Sequence, residues 1–278
     1  MMTESSGERT LSYFMTKGGI RLRYEVKGEG RPALFLHGWG MSSRVWKYQV
    51  EHLSKKFKTV TLDLRGHGGS SPSDDYSFEA LAGDTKEFIE ALPFGSVSLV
   101  GWSMGGSVAI MVANKFPEIV STLVLVNTTP KFVASEGFLH GQPEAMLRRL
   151  ERQIDRGLNK AMLEFCSLMF EQEGITEEVW ETVALKEWPS KETLKGYLKT
   201  LGDSDLRGEL IKISHPTMIM HGLLDRISFH EAAVFMADRI KMVRLETHHD
   251  EGHAPFLTRP DWFNTELEGF LNEFRSYN

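Results

Sequence analysis

Apolar and polar positions along the chain form blocks that predict strands and helices in alternation. Short apolar runs that favour strands lie at residues 11–16, 20–26, 32–36, 58–62, 97–100 and 119–126. Longer stretches with helical spacing lie at residues 43–53, 77–91 and 107–116. The first two strands meet at Gly18-Gly19, which predicts a hairpin. Strands that alternate with helices imply right-handed crossovers and a mostly parallel sheet.

The alternation stops between residues 131 and 206. Only helical patterns occur there, at residues 143–157, 158–171, 176–186 and 191–201. Strand patterns at 215–220 and 242–246 and helical patterns at 229–238 and 261–274 follow. We therefore predict an α/β core made of residues 1–130 and 207–278. Residues 131–206 are predicted to be a helical cap, inserted after the sixth strand.

Residues 99–106 join a predicted strand to a predicted helix through a very tight turn centred on Ser103. Such a turn strains its central residue and leaves little room two positions before and after it, where Gly101 and Gly105 stand. The Ser103 hydroxyl is then held above the end of the sheet, near the first amides of the helix. We interpret the segment as a nucleophile elbow. A surface turn of the same composition is the alternative.

A serine nucleophile needs a base, and the base needs a third group that orients it. Of the ten histidines, His253 lies in a Gly- and Pro-flanked loop after the last strand, where it can reach the same sheet edge as Ser103. The loop after residues 217–220 supplies a carboxylate, Asp225, for which a turn or helix cap is the alternative role. The order Ser103, Asp225, His253 matches that of α/β hydrolases.

Two backbone N–H groups are candidates for binding the negatively charged oxygen that develops during acyl transfer. One belongs to Met104, directly after the serine, and the other to Trp39 in the loop after the third strand. Both residues are also candidates for substrate contact. A core aromatic is the alternative for the Trp39 ring.

The cluster of His248, His249, Asp250 and His253 raises the alternative of a metal site. Gly252 and Pro255 break any helix that would align His249 with His253. We expect neither a metal nor another cofactor.

Composition narrows the class of protein. A chain of 278 residues with 41% hydrophobic content can bury the core of one domain, with or without an insertion. The net charge of −6, with both signs interspersed, argues against nucleic-acid binding. The polar residues 1–10 lack a signal-peptide core, and no later apolar run is long enough to span a membrane. Cys166 is the only cysteine, so no disulfide can form within the chain, and nothing suggests an oxidising compartment. We expect a cytoplasmic protein without membrane contact. We also expect a monomer.

Four segments carry a resemblance to a known family: Leu36-His37-Gly38-Trp39-Gly40, residues 101–106, residues 222–225 and Gly252-His253-Ala254-Pro255-Phe256. Together they resemble the α/β-hydrolase superfamily from end to end. Within it, they look most like the pimeloyl-[acyl-carrier protein] methyl ester esterases of biotin synthesis. The resemblance implies a serine carboxylesterase that cleaves a methyl or small-alcohol ester of a medium-length acyl chain through an acyl-enzyme.

The loop at residues 63–70 departs from that subfamily. It is closer to the DLRGHGxS pattern of cofactor-free haloperoxidase-like and carbon–carbon-bond hydrolases. A hydrolase of that kind, with the same three residues, is therefore one alternative. A non-catalytic receptor with the hydrolase fold is another. Ser103 argues against haloalkane dehalogenases and most epoxide hydrolases, which need Asp at the elbow.

The predicted helix at residues 143–157 places four arginines within about 100° of arc, opposite its apolar face. We call Arg148, Arg149, Arg152 and Arg156 the arginine stripe. The resemblance implies that cap arginines dock an acidic acyl carrier protein. The alternative is a solvated face, because Glu144, Glu151 and Asp155 are near enough to pair with some of the arginines.

Overall fold

The computed structural model describes residues 10–93, 95–170, 175–184 and 187–274. Its strands form one eight-stranded sheet in the order β1-β2-β4-β3-β5-β6-β7-β8. The strands are β1 (Thr10–Met15), β2 (Arg21–Lys27), β3 (Pro32–Leu36), β4 (Lys58–Leu62), β5 (Val97–Trp102), β6 (Val120–Val126), β7 (Thr217–Gly222) and β8 (Val243–His248). β2 is antiparallel to both β1 and β4, and all other neighbours are parallel. The predicted hairpin and mostly parallel sheet are confirmed.

The α-helices are α1 (Lys47–Leu53), α2 (Phe78–Ala91), α3 (Met104–Lys115), α4 (Glu144–Arg156), α5 (Leu158–Met169), α6 (Glu177–Val183), α7 (Lys191–Asp203), α8 (His230–Ala237), α9 (Pro255–Thr258) and α10 (Pro260–Glu273). Apart from α9, the helices follow the strands as the sequence pattern predicts. α3 packs along β5 and β6 and against α2, while α1 packs against α10. In the described part of the chain, no helix is both long and apolar enough to cross a bilayer.

The central strands are buried along their whole length. Every residue of β3 and of β5 is buried, which explains why β3 is a continuous apolar run and why β5 lacks a regular alternation of apolar and polar residues. Beneath the end of β5, Trp102 packs edge-on against Phe256, with ring centroids 5.0 Å apart. The indole N–H of Trp102 also donates to the carbonyl oxygen of His253, at 2.8 Å. Trp102, at the end of β5, therefore holds the segment that contains His253 and Phe256 against this edge of the sheet.

Among the described residues, four α-helices, α4 to α7, lie between β6 and β7, which confirms a helical insertion after the sixth strand. Two isolated β-bridges, Val133 with Gln142 and Ser135 with Phe138, precede α4. Residues 171 and 185–186, at the ends of two predicted helices, lie outside the described residues, as do residues 1–9 of the polar start.

Two local predictions differ from the structure. The helix predicted at residues 43–53 starts as a 3-10 turn, Ser43–Trp46, before α1 begins. The short helix α9 was not expected, because Pro255 was interpreted only as a helix breaker. Pro255 occupies the first turn of α9, where a missing N–H costs no hydrogen bond.

Candidate active site

Ser103 occupies the sharp turn between β5 and α3. Its backbone has φ 53° and ψ −118°, a conformation that is strained for a residue with a side chain. A Cβ on Gly101 would collide with the backbone of Gly105, and one on Gly105 would collide with the carbonyl oxygen of Leu36. Only glycine fits at these two positions, as the sequence predicts for a turn this tight.

Neighbouring strands hold the strained serine in place. The Ser103 N–H donates to the carbonyl oxygen of Val126 in β6, at 2.9 Å. The Thr128 hydroxyl donates to the Ser103 carbonyl oxygen, at 2.7 Å. The elbow is thus anchored to the end of the adjacent strand as well as to its own.

The structure brings the three residues of the expected triad together. Ser103 Oγ lies 3.1 Å from Nε2 of His253. Nδ1 of the same imidazole lies 2.8 Å from Oδ2 of Asp225. With Nδ1–H donated to a carboxylate, Nε2 of a neutral imidazole is free to accept the serine proton. His253 is only 1% exposed, whereas Ser103 is partly exposed and so accessible from outside.

Both carboxylate oxygens of Asp225 are held by several donors. Oδ1 accepts from the N–H groups of Ile227, at 2.8 Å, and Ser228, at 3.0 Å. Oδ2 accepts from Nδ2 of Asn127, at 2.8 Å, in addition to His253. Burial by itself would raise the pKa of Asp225, but His253, His221 and Asn127 together keep that pKa below its usual value. The group is therefore held as a carboxylate.

Asn127 is a member of the site that sequence reasoning missed. Its Nδ2 donates both to Asp225 and to the Gly252 carbonyl oxygen, at 2.9 Å, so it ties the acid to the loop that carries His253. Its φ of 42° is one that Asn tolerates better than most residues. A polar residue of this kind directly after a central strand was the available signal.

A second histidine lies near the acid. His221 Nε2 is 3.5 Å from Oδ2 of Asp225 and donates to the Ser228 carbonyl oxygen, at 2.7 Å. Its imidazole is completely buried, and burial lowers its pKa. The hydrogen bond from His221 to Ser228 steadies the turn whose amides bind Asp225.

The two candidate donors for an oxyanion flank Ser103. Met104 opens α3, and Trp39 follows Gly38 in the loop after β3. A Cβ on Gly38 would lie 3.3 Å from the Cβ of Ser103, so this loop passes directly beside the serine.

The Trp39 ring is 4% exposed and packs against the inserted helices. It meets the ring of Phe165 in α5 edge-on, with centroids 5.0 Å apart. Its Nε1–H donates to the Leu194 carbonyl oxygen in α7, at 2.9 Å. The ring therefore joins the core to the inserted helices.

The arginine stripe lies on α4, and all four of its arginines are exposed. Arg148 pairs with Glu144 at 2.9 Å. The other two acidic residues weighed above pair instead with Lys195 of α7, Asp155 at 2.9 Å and Glu151 at 3.7 Å. No carboxylate of the described residues lies within 4.0 Å of the other three arginines of the stripe. The stripe makes no hydrogen bond to the triad within the same residues.

The histidines considered as a metal cluster point in different directions. His249 pairs with Asp250 at 3.1 Å and stacks on His248, whereas His253 faces Asp225. Within the described ranges, no three His, Cys, Asp or Glu side chains are arranged to hold a metal ion.

The mostly parallel sheet, the helical insertion and the serine at a strained strand-to-helix turn define a member of the α/β-hydrolase fold family. The profile of that family matches residues 32–260, and the chain belongs to it. A pimeloyl-[acyl-carrier protein] methyl ester esterase of Nitrosomonas europaea is 35% identical over 246 residues, which are 87% of this chain and 96% of that protein.

Solved structures agree with this assignment. An esterase from Exiguobacterium antarcticum superposes with a TM-score of 0.90 at 27% identity, covering 95% of this chain and 100% of that one. A bromoperoxidase from Bacillus anthracis gives a TM-score of 0.87 at 24% identity, covering 95% and 100%, and shows the shared fold. These comparisons confirm the predicted family and support the predicted enzyme class, a carboxylic ester hydrolase.

Proposed function

We propose that this protein is a serine carboxylesterase that hydrolyses a methyl or small-alcohol ester of a medium-length acyl chain through an acyl-enzyme. The observation that carries the proposal is the continuous hydrogen-bonded chain from Ser103 through His253 to Asp225. A serine in such a chain is an activated nucleophile.

In the first half of the reaction, Ser103 Oγ attacks the ester carbonyl carbon while its proton passes to Nε2 of His253. The carbonyl π electrons move to the oxygen, which accepts hydrogen bonds from the N–H groups of Met104 and Trp39. When the C=O bond re-forms, the bond to the alcohol oxygen breaks. The departing alkoxide takes the proton from Nε2 and leaves as the alcohol.

The second half repeats these steps with water. His253 removes a proton from water, whose oxygen attacks the acyl carbon of the ester on Ser103. The bond to Ser103 Oγ breaks, the serine recovers its proton, and the carboxylic acid leaves. Asp225 keeps Nδ1 protonated in both halves and stabilises the imidazolium, without taking the proton itself.

The helical insertion serves in this proposal as a cap over the site, with substrate entering between cap and core. Two hydrogen bonds that cross this boundary support the assignment. The His253 N–H donates to the Met169 carbonyl oxygen of α5, at 3.2 Å, and the Trp39 indole donates to Leu194 of α7. Inserted helices therefore contact both the base and the candidate oxyanion loop.

We further propose that the acyl chain is presented on an acyl carrier protein, with the pimeloyl methyl ester as the first substrate to test. Two observations support this finer assignment. The Nitrosomonas europaea relative bears that substrate in its name. The arginine stripe keeps three exposed guanidinium groups without carboxylate partners in the described structure, because Lys195 takes two nearby acids. An acidic carrier would meet complementary charge there.

A panel of esters of graded acyl length, free and carrier-bound, tests the proposal. We expect p-nitrophenyl and methyl esters of medium-length acids to be hydrolysed, and Ser103→Ala to abolish this hydrolysis. Inertness of the wild-type protein towards every ester would favour a hydrolase-fold receptor. Cleavage of vinylogous diketones in preference to esters would favour a carbon–carbon-bond hydrolase.

A further inference from the structure

Two buried histidines outside the triad join the candidate oxyanion loop, residues 37–40, to the loop at residues 63–70. The His67 Nε2 atom accepts from the N–H of Gly40, at 3.2 Å. The His37 Nε2 atom accepts from the N–H of Leu64, at 3.0 Å. Each imidazole gives its Nδ1–H to a nearby carbonyl oxygen, His67 to that of Arg65 and His37 to that of Gly38. The two loops therefore act as one hydrogen-bonded unit.

This role requires both imidazoles to be neutral, since an Nε2 atom that carries a proton cannot accept from a backbone amide. Burial lowers the pKa of both histidines, that of His67 to about 3. The acceptors facing Gly40 and Leu64 are thus present at any pH near neutrality.

Helix α7 contacts both loops of this unit. The Tyr197 hydroxyl donates to the Arg65 carbonyl oxygen, at 3.2 Å, and the Tyr197 ring packs on His67 with centroids 5.2 Å apart. The Leu194 carbonyl oxygen accepts from the Trp39 indole, at 2.9 Å. Tyr197 is completely buried, so no water competes for its hydroxyl from outside.

Two glycines with positive φ, Gly40 at 70° and Gly66 at 77°, lie where these loops contact the inserted helices. A Cβ on Gly40 would lie 2.6 Å from Cε of Met162 in α5 and 3.3 Å from Cδ2 of Leu194. A Cβ on Gly66 would lie 2.8 Å from Cγ2 of Thr193. Both loops therefore meet the inserted helices at positions where only glycine fits.

We propose that helix α7 positions the Trp39 amide as an oxyanion donor, with Tyr197 and His67 as positioning residues, so that the cap and the oxyanion site form one mechanical unit. The inference rests on the esterase function proposed above. The Trp39 N–H belongs to the peptide between Gly38 and Trp39, whose carbonyl oxygen accepts from Nδ1–H of His37. His67 holds the N–H of the next peptide, between Trp39 and Gly40, and α7 holds the Trp39 side chain through the indole. If α7 moves aside to admit substrate, it takes the Leu194 and Tyr197 contacts with it. The oxyanion site is then complete only while α7 is seated.

Paired substitutions separate positioning from general damage. His67→Leu removes the acceptor for Gly40, whereas His67→Gln keeps an acceptor at about the same place. Tyr197→Phe removes only the hydroxyl. Tyr76→Phe is its matched control, because Tyr76 packs against Tyr197 and its hydroxyl has no hydrogen-bond partner among the described residues.

The readouts are kcat and KM for a p-nitrophenyl ester, and the inhibition constant of a trifluoromethyl ketone with the same acyl chain. Its carbonyl carbon bonds to Ser103 Oγ while His253 takes the proton, which places an oxyanion between the two proposed donors. Loss of a whole donor costs about 10²- to 10³-fold in kcat in other enzymes, so a displaced donor should cost less. We expect kcat to fall about 10- to 100-fold in His67→Leu and about 3- to 10-fold in Tyr197→Phe.

The inhibition constant should rise by the same factors, and KM should change little. His67→Gln should recover most of the loss, and Tyr76→Phe should match the wild type. Wild-type kcat in both His67→Leu and Tyr197→Phe, or a loss confined to KM with an unchanged inhibition constant, would overturn the inference. If His67→Leu fails to fold, Tyr197→Phe decides the inference by itself: wild-type kcat and an unchanged inhibition constant in that variant would overturn it. The wild-type protein and Ser103→Ala in the same assay report separately on the esterase proposal.

Discussion

Replacing Asp225 by Asn changes one atom of the proposed triad, and the structure dictates how the new amide must sit. Ile227 and Ser228 both donate N–H groups to Oδ1, so the amide oxygen is needed at that position. The new NH2 group then occupies the Oδ2 position and faces His253 and Asn127. From there it can only donate to Nδ1 of His253. The proton of the imidazole is forced onto Nε2, and the base can no longer accept from Ser103.

The magnitude follows from the donors that each orientation leaves unpaired. In the orientation just described, one N–H donor, on Asn127, loses its acceptor. In the flipped orientation, two backbone N–H donors, those of Ile227 and Ser228, lose their acceptor. One more buried donor without an acceptor costs about 1–3 kcal/mol, which favours the inactive tautomer by about 5- to 150-fold. Loss of the carboxylate charge beside the imidazolium adds to this. The same substitution in a serine protease lowers kcat about 10⁴-fold, so we expect a loss of about 10³- to 10⁴-fold.

The assay compares kcat for Asp225→Asn with that for Asp250→Asn. Asp250 precedes His253 by three residues, is exposed, and pairs with His249 rather than with the triad. The control should keep wild-type kcat within about twofold, because exposed ion pairs contribute little. Circular dichroism checks that both variants are folded. Activity retained in Asp225→Asn, or the larger loss in Asp250→Asn, would refute the assignment of the acid.

Three further predictions test other parts of the account. Between pH 6.5 and about 3 the unfolded chain binds a proton at His67 that the folded chain excludes, so the free energy of unfolding should fall as pH falls. Denaturant titrations of His67→Gln should show a slope smaller by up to about 1.4 kcal/mol per pH unit, and an unchanged slope would contradict this. Reversing Arg149 and Arg152 to Glu should lower kcat/KM about tenfold on carrier-bound ester only, with the effect fading at high salt. The control, Lys55→Glu with Lys241→Glu, makes the same net change of charge outside the stripe and should have no such effect. Equal losses on free and carrier-bound esters in the arginine variant would indicate disturbed packing instead. Replacing residues 131–206 by a short linker removes α7 and should therefore lower kcat on every ester, while the remaining activity should accept a wider range of acyl lengths. Unchanged selectivity would mean that the insertion does not shape the pocket.

The fold was predictable because its signals are local. A buried parallel strand such as β3 is a continuous apolar run, and the helices between the strands have apolar residues at helical spacing. The turn at Ser103 was predictable for the same reason, because its glycines are required by contacts within a few residues and with one neighbouring strand.

Contacts between distant segments were less accessible to sequence reasoning. Asp225 was found because parallel strands end at the same edge, so the loops to search were few. Asn127 was missed because its role depends on Asp225 and Gly252, which are 98 and 125 residues away. The link from Tyr197 to Arg65 spans 132 residues and has no local pattern. The stripe on α4 was visible, but the capture of its neighbouring acids by Lys195 needed the packing of α7 against α4.

The central claim is that Ser103 is the nucleophile, and site-specific labelling tests it most directly. The folded protein is treated with a fluorophosphonate, which bonds covalently to an activated serine as fluoride leaves, and digested peptides are analysed by mass spectrometry. We expect one modified residue, Ser103, with labelling lost in Ser103→Ala and ester hydrolysis lost in parallel. Modification of a different serine, or full hydrolysis by Ser103→Ala, would contradict the account.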